Sequence, residues 1–189
     1  AVMRAIPGLT VISPADCAEV YKTLEACVGF EHPVYIRLTG AVSCPVVYTE
    51  DYDFEIGKAV WLREAQKVTV ISAGTTVGHC LKAAAALEED GINVGLLNMH
   101  TVKPLDCDAI ANAVETSDTI FVVDEHTRIG GLGSAITDHI VEHHGIGVRL
   151  FCHGIDDRYV ETGNYPFLLQ KNGLDSAGIE AFIRTKLAL

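Results

Sequence analysis

The stretch VTVISAGTTVGHCLKAAAALEEDGINVGLLNM, residues 68–99, decides the fold. Val68 to Ala73 is an apolar, β-branched run short enough to be a buried strand. Gly74-Thr75-Thr76 supplies a turn and an N-cap. Residues 76–89, rich in Ala and Leu, predict a helix, and Gly91 closes it. Ile92 to Met99 is a second apolar run of strand length. Strand, helix and strand in this order, with both strands apolar on successive positions, predict a parallel sheet covered on both faces.

Working outward, the same rhythm continues. Pro104-Leu105-Asp106 opens a helix over about 106–116. Thr119 to Val123 is a third strand, a loop rich in glycine leads to a helix over about 132–144, and Val148 to Cys152 is a fourth strand. An irregular stretch precedes a last helix over about 176–188. On the amino-terminal side, Leu9 to Ser13 is β-rich. Pro14-Ala15-Asp16 starts a helix to about Val28, with Val20, Leu24 and Cys27 near helical spacing and Gly29 as C-cap. Pro33 to Leu38 is the next strand. Residues 41–66 break the pattern with Pro45, an acidic patch (Glu50, Asp51, Asp53, Glu55) and the only tryptophan, Trp61. They read as a linker containing one short strand.

Composition narrows the function classes. At 189 residues with 49% hydrophobic and 21% charged positions, the chain can bury a core and is not disordered throughout. A formal net charge of -11 disfavours nucleic acid and anionic membranes as partners. No apolar run reaches the roughly 20 residues of a membrane span, and the start AVMRAIPG does not read as a signal peptide. Six cysteines at 17, 27, 44, 80, 107 and 152 form no C-x-x-C pair. They read as reduced, buried thiols in a reducing cytoplasm, not as structural zinc ligands.

Each candidate site has a plain alternative. Gly130-Gly131-Leu132-Gly133-Ser134 could bind an anion at a helix N-terminus, but it completes neither G-x-G-x-x-G nor a P-loop. A tight turn or close packing fits better. His100 and His126 each follow a strand and lack a second ligand at metal spacing, so contact with a neighbouring loop or subunit is the simpler role. His139 and His143 share a helix face with no third ligand evident. Asp124 and Glu125 are adjacent in an extended segment, so their side chains point opposite ways. Arg37 ends a strand at a cleft edge, where a guanidinium suits a phosphate or a carboxylate. A salt bridge to one of 25 acidic side chains suits it equally.

Six segments in order resemble the carboxyl-terminal part of transketolases, most closely the separate carboxyl-terminal subunit of split transketolases. They are Met3-Arg4-Ala5-Ile6-Pro7-Gly8, Val11-Ile12-Ser13-Pro14-Ala15-Asp16, Pro33-Val34-Tyr35-Ile36-Arg37-Leu38, NMHTVKPLD (98–106), Asp124-Glu125-His126 with Ile129-Gly130-Gly131-Leu132-Gly133-Ser134-Ala135, and Gly154-Ile155-Asp156-Asp157-Arg158-Tyr159 with Thr162-Gly163. Together they span nearly the whole chain.

The resemblance implies a three-layer α/β/α domain with a mostly parallel sheet, preceded by the tail of a pyrimidine-binding domain. Residues 1–40 would be that tail, 41–66 the linker and 67–189 the carboxyl-terminal domain. It implies transfer of a two-carbon ketol unit between sugar phosphates with thiamine diphosphate and Mg2+, both held by portions outside these 189 residues. No cofactor, metal or catalytic residue is expected on this chain. Arg37 stands where similar enzymes bind the sugar's phosphate. His100, His126 and Gly130 to Gly133 would serve interfaces or loop geometry. The implied partners are an amino-terminal half or subunit, in a homodimer or heterotetramer, and sugar phosphates. The chain alone would be inactive and dimer-forming. Deoxyxylulose-phosphate synthase and the β chains of 2-oxo-acid dehydrogenases are the alternatives, with a non-catalytic interaction module as a third. Met99-His100-Thr101-Val102-Lys103 and Asp124-Glu125-His126 depart from the synthase pattern.

Overall fold

A computed structural model describes residues 1–39, 44–145 and 147–188. After a short 3-10 turn at Met3–Ala5 come β1 (Thr10–Ile12), α1 (Cys17–Ala26), β2 (Val34–Ile36), β3 (Val60–Arg63), β4 (Val68–Ala73) and α2 (Thr76–Glu89). They are followed by β5 (Val94–Asn98), β6 (Thr101–Lys103), α3 (Cys107–Thr116), β7 (Thr119–Thr127) and α4 (Leu132–His143). The chain closes with β8 (Arg149–Ile155), α5 (Tyr165–Lys171) and α6 (Ser176–Leu187).

The larger sheet has the order β3-β5-β4-β7-β8. Its pairings from β5 through to β8 are parallel, and β3 is an antiparallel edge. Alternation along the strands splits the core in two. Val70, Leu96, Phe121 and Val123 face α2, α5 and α6. Ile71, Ala73, Leu97, Ile120 and Val122 face α3 and α4. This is the three-layer α/β/α arrangement expected from the apolar strands. Strand β3 lies within the segment read as a linker, and it extends this sheet rather than standing apart.

The smaller sheet has the order β2-β1-β6, with β1 parallel to β2 and antiparallel to β6. Strand β6 escapes sequence reading because three residues ahead of Pro104 are too short for a periodic signal. It ties the amino-terminal unit to the larger domain. Lys103 Nζ donates to the carbonyls of Arg4 at 3.0 Å and Ile6 at 2.6 Å. Arg4 Nη1 then donates to the carbonyls of Gly130 at 2.6 Å and Gly131 at 3.0 Å.

Helix α1 forms where expected, capped by Asp16, which accepts from Glu19 N at 2.9 Å. Its buried positions, however, are the polar Glu19 and Thr23, while Tyr21, Leu24 and Val28 of the same segment are exposed. Polar groups can be buried here because each is bonded. Glu19 accepts from Ala15 N at 2.6 Å, Asn98 Nδ2 at 2.8 Å and the Tyr52 hydroxyl at 2.8 Å. Thr23 donates to Glu19 O at 2.7 Å.

Two further expectations change. All six cysteines are free, but only Cys80 is buried; Cys17 and Cys107 are exposed and the others are half-buried. Cys17 and Cys107 each open a helix, whose first turn lies at the surface. The Thr75 hydroxyl makes no capping bond to α2 and is used across the sheet edge instead. Helix α5 was not expected, although Asn164 as N-cap followed by Pro166 in the first turn is a helix-start signal. Among the described residues no helix is long and apolar enough to cross a membrane.

Candidate functional site

Strands β4 and β7 both end at one edge of the larger sheet, and β1 and β2 approach that edge from the smaller one. The turn after β4 allows the approach. Gly74 has φ +68, and a Cβ there would lie 2.6 Å from Ser13 Oγ. Gly74 N donates to Ser13 O at 2.9 Å. Only glycine suits a left-handed turn pressed this closely against another strand.

Beyond Val123, β7 leaves its regular register with β8, which resumes only at Thr127. Asp124 still pairs with Ala73 of β4, and the shift against β8 runs through Glu125 and His126. Alternation sends the two carboxylates apart, as the sequence implied. Asp124 Oδ2 accepts from Leu132 N at 3.0 Å and so caps α4. Glu125 Oε2 accepts from the Tyr165 hydroxyl at 2.6 Å and the Thr75 hydroxyl at 2.8 Å. Those two hydroxyl oxygens are themselves 2.7 Å apart. Burial, then the bond to Glu125, pushes the Tyr165 phenol up to about 12, so it remains a donor at neutral pH.

Arg37 meets this edge from the end of β2. Its Nη2 donates to the Glu125 main-chain carbonyl at 2.9 Å. Among the described residues it forms no ion pair, so the salt-bridge reading of Arg37 finds no partner. A guanidinium has five N–H donors, and one such anchor fixes it while other donors remain to face a ligand. Arg37 lines a cleft of about 390 Å3 with Arg4, Tyr35, Asp124, His126 and Gly131. The cleft thus holds two guanidinium groups, one of them bonded to the glycine-rich loop, together with the Asp124 carboxylate.

The other candidates make contacts within the chain. His126 Nδ1 lies 2.8 Å from Thr127 O and forms one wall of the cleft. Two amides of the glycine-rich loop are occupied: Gly130 N donates to Ser134 Oγ at 2.9 Å and Leu132 N to Asp124. Gly130 has φ +73, and a Cβ on Gly133 would meet Cys152 Sγ at 2.9 Å. Turn geometry and close packing account for this loop. His100 is completely buried and stacked on Phe54, with ring centroids 4.3 Å apart. Its Nδ1 lies 3.0 Å from Thr101 Oγ1, while Nε2 has no hydrogen-bond partner among the described residues. Burial lowers its pKa to about 4. The Lys58 main chain favours the charged ring, yet it does not reach hydrogen-bond geometry with Nε2, and burial prevails. His139 and His143 do share a helix face, with centroids 4.5 Å apart. Among the described residues no His, Cys, Asp and Glu group is arranged to hold a metal.

The family model of the transketolase C-terminal domain matches residues 57–179. This chain belongs to the transketolase family. It is 37% identical over 180 residues to one of the subunits of an apulose-4-phosphate transketolase from Phocaeicola vulgatus, covering 95% of this chain and 56% of that protein. It is 34% identical over 189 residues to a 1-deoxy-D-xylulose-5-phosphate synthase from Geobacter sulfurreducens, covering 97% of this chain and 30% of that one. A solved split-gene transketolase, described as an inactive β4 tetramer, superposes with a TM-score of 0.90 at 30% identity. That match covers 100% of this chain and 61% of the solved one. The chain thus spans about half the length of the transketolase subunit it matches. The transketolase motifs at 98–106 and 124–135 have visible physical tasks: Lys103 and Gly130–Gly131 hold the amino-terminal segment, and Asp124 and Glu125 build the cleft edge.

Proposed function

We propose that this chain works as the carboxyl-terminal part of a transketolase that moves a two-carbon ketol unit between sugar phosphates, and that Arg37 binds the substrate's phosphate. The observation carrying this reading is Arg37, anchored on Glu125 O at the edge of a cleft that it shares with Arg4. Fixing a guanidinium before the ligand arrives reduces the ordering cost of binding, and its planar donor fork matches phosphate oxygens. A related 1-deoxy-D-xylulose-5-phosphate synthase also acts in sugar-phosphate chemistry by its name. The Met99-His100-Thr101 and Asp124-Glu125-His126 sequences favour the transketolase reading over that one.

The residues present do not fit thiamine diphosphate or its metal. No G-D-G motif with a downstream Asn occurs in the sequence. The cleft carboxylates are committed to Leu132 N, Thr75 and Tyr165. Thiamine diphosphate supplies the carbanion chemistry of such enzymes, and we assign its binding, with Mg2+, to protein outside these residues. In this reading residues 1–40 are the tail of a pyrimidine-binding domain, 41–66 connect it, and 67–189 are the carboxyl-terminal domain. The partner is an amino-terminal subunit or half, in a dimeric or heterotetrameric enzyme of the cytoplasm. The 189-residue chain alone is inactive, and ketol transfer by it in purified form would overturn that assignment.

The test of the phosphate role is kinetic. In the complete enzyme, Arg37→Ala is expected to raise KM for a phosphorylated sugar more than for its unphosphorylated analogue. Loss of a charge-assisted hydrogen bond costs about 1.5–3 kcal/mol, or about 10- to 150-fold. Equal effects on the two substrates refute the role.

A further inference from the structure

The residues that orient Arg37 lie on elements far from it in sequence. Its anchor is the carbonyl of Glu125, in the stretch of β7 where the register with β8 shifts between Val123 and Thr127. A carbonyl in such a bulge is not held by regular pairing to that strand, so its direction depends on other contacts of the residue. The Glu125 side chain is gripped by Thr75, at the start of α2, and by Tyr165, the first residue of α5. We infer that Tyr165, with Thr75, is a positioning residue for substrate phosphate: by clamping the Glu125 carboxylate it sets the main-chain carbonyl that aims Arg37. This rests on the phosphate role of Arg37 proposed above.

The chemistry of the clamp is asymmetric. Glu125, Thr75 and Tyr165 make three oxygen–oxygen contacts of 2.6–2.8 Å. Two hydroxyl protons serve them when the carboxylate is ionised. The shortest contact is from Tyr165, whose phenol stays protonated to about 12. Its proton is therefore committed to Glu125, while the Thr75 proton is shared between Glu125 and the Tyr165 oxygen. Removing the phenol hydroxyl takes away the strongest donor to Glu125 and an acceptor for Thr75 and for Thr39. The main chain at Glu125 is then held by one hydroxyl instead of two. Tyr165 sits beyond β8 in the chain, so an element outside the cleft controls an arginine that lines it.

The experiment compares wild type, Tyr165→Phe, Arg37→Ala and the double variant in the complete enzyme, each with an aldose phosphate and its unphosphorylated analogue. Tyr165→Phe retains the ring, and thermal unfolding of each variant checks folding. The expected result is a rise in KM for the phosphorylated acceptor of about 3- to 10-fold, the scale of one neutral hydrogen bond, with kcat unchanged. The unphosphorylated acceptor should show no change, and the double variant should match Arg37→Ala alone, because the clamp acts through the arginine. Thr75→Ser, which retains the hydroxyl, should behave as wild type. If Arg37→Ala is selective for phosphate but Tyr165→Phe is neutral, unselective or additive with it, the clamp is overturned and the phosphate role stands. If Arg37→Ala is itself unselective, the phosphate role falls and takes the clamp with it.

Discussion

Replacing Glu19 with glutamine should make the difference in stability between variant and wild type depend on pH in a defined direction. Glu19 has no solvent exposure and lies under the stacked rings of Tyr48 and Tyr52, whose centroids are 4.0 Å apart. Burial raises its pKa above the ordinary 4.5, and the bonds from Ala15, Asn98 and Tyr52 only partly offset this. The folded state therefore holds the proton more tightly than the unfolded one. The resulting stability is complete below 4.5 and is lost as pH rises through the folded-state value, by up to about 1.4 kcal/mol per pH unit. Glutamine has no such proton to lose. It does lose a bond, because one oxygen of Glu19 accepts from Asn98 and Tyr52 and the other from Ala15 N. An amide can satisfy one side only, leaving a buried donor facing a donor at about 1–3 kcal/mol. Below 4.5 the protonated carboxyl carries an equivalent extra donor, so the wild-type lead should be small there and should fall as pH rises above 4.5, because only the wild type has a proton to release. Urea titrations at several pH values, followed by Trp61 fluorescence and far-UV circular dichroism, measure both slopes. A wild-type lead that stays constant across that range refutes the buried, proton-holding carboxyl.

His100, with its pKa lowered from 6.5 to about 4, favours the folded state while neutral. That stability, on the order of 3 kcal/mol, is present above 6.5 and disappears as pH falls toward 4; His100→Phe should show a shallower acid limb in the same titrations. Gly74→Ala forces a Cβ to 2.6 Å from Ser13 Oγ at φ +68; it should cost about 1–3 kcal/mol, read as a lower Tm by circular dichroism. Lys103→Met removes the bonds to Arg4 O and Ile6 O. Amide exchange should then speed up in residues 3–12 while the five-stranded sheet keeps its protection, as measured by mass spectrometry.

The central strands of the larger sheet were legible because they are buried on both faces and so are mostly apolar, from Val68, Val94 and Thr119 onward. Helix caps at Asp16, Asp106 and Gly91 were legible because their chemistry is local. What sequence reading missed depends on distant partners. The segment of α1 looks apolar at Leu24 and, just beyond the helix, Val28, yet α1 buries Glu19, and nothing within it announces that Asn98 and Tyr52 will satisfy a carboxylate there. Thr75 looks like an N-cap until Glu125 and Tyr165 arrive beside it. At the candidate site, Arg37 stood out by its place at a strand end, whereas Arg4, Tyr165 and the Glu125 carbonyl acquire meaning only from tertiary contacts. Asn164 and Pro166 were an available signal for α5, and thus for where Tyr165 begins a helix.

The borrowed strand β6 imposes an order of events on synthesis. Strand β1 lies between β2 and β6, and its Val11 and Ile12 are buried. The ribosome makes β2 by residue 36 but does not reach Thr101 until 65 residues later (101 minus 36). At about 5–20 residues per second that interval is roughly 3–13 s. Through it, the side of β1 that β6 will cover waits for its partner, the kind of edge that recruits foreign strands. The last of these strands to arrive also carries the lysine that fastens the chain at Arg4 and Ile6.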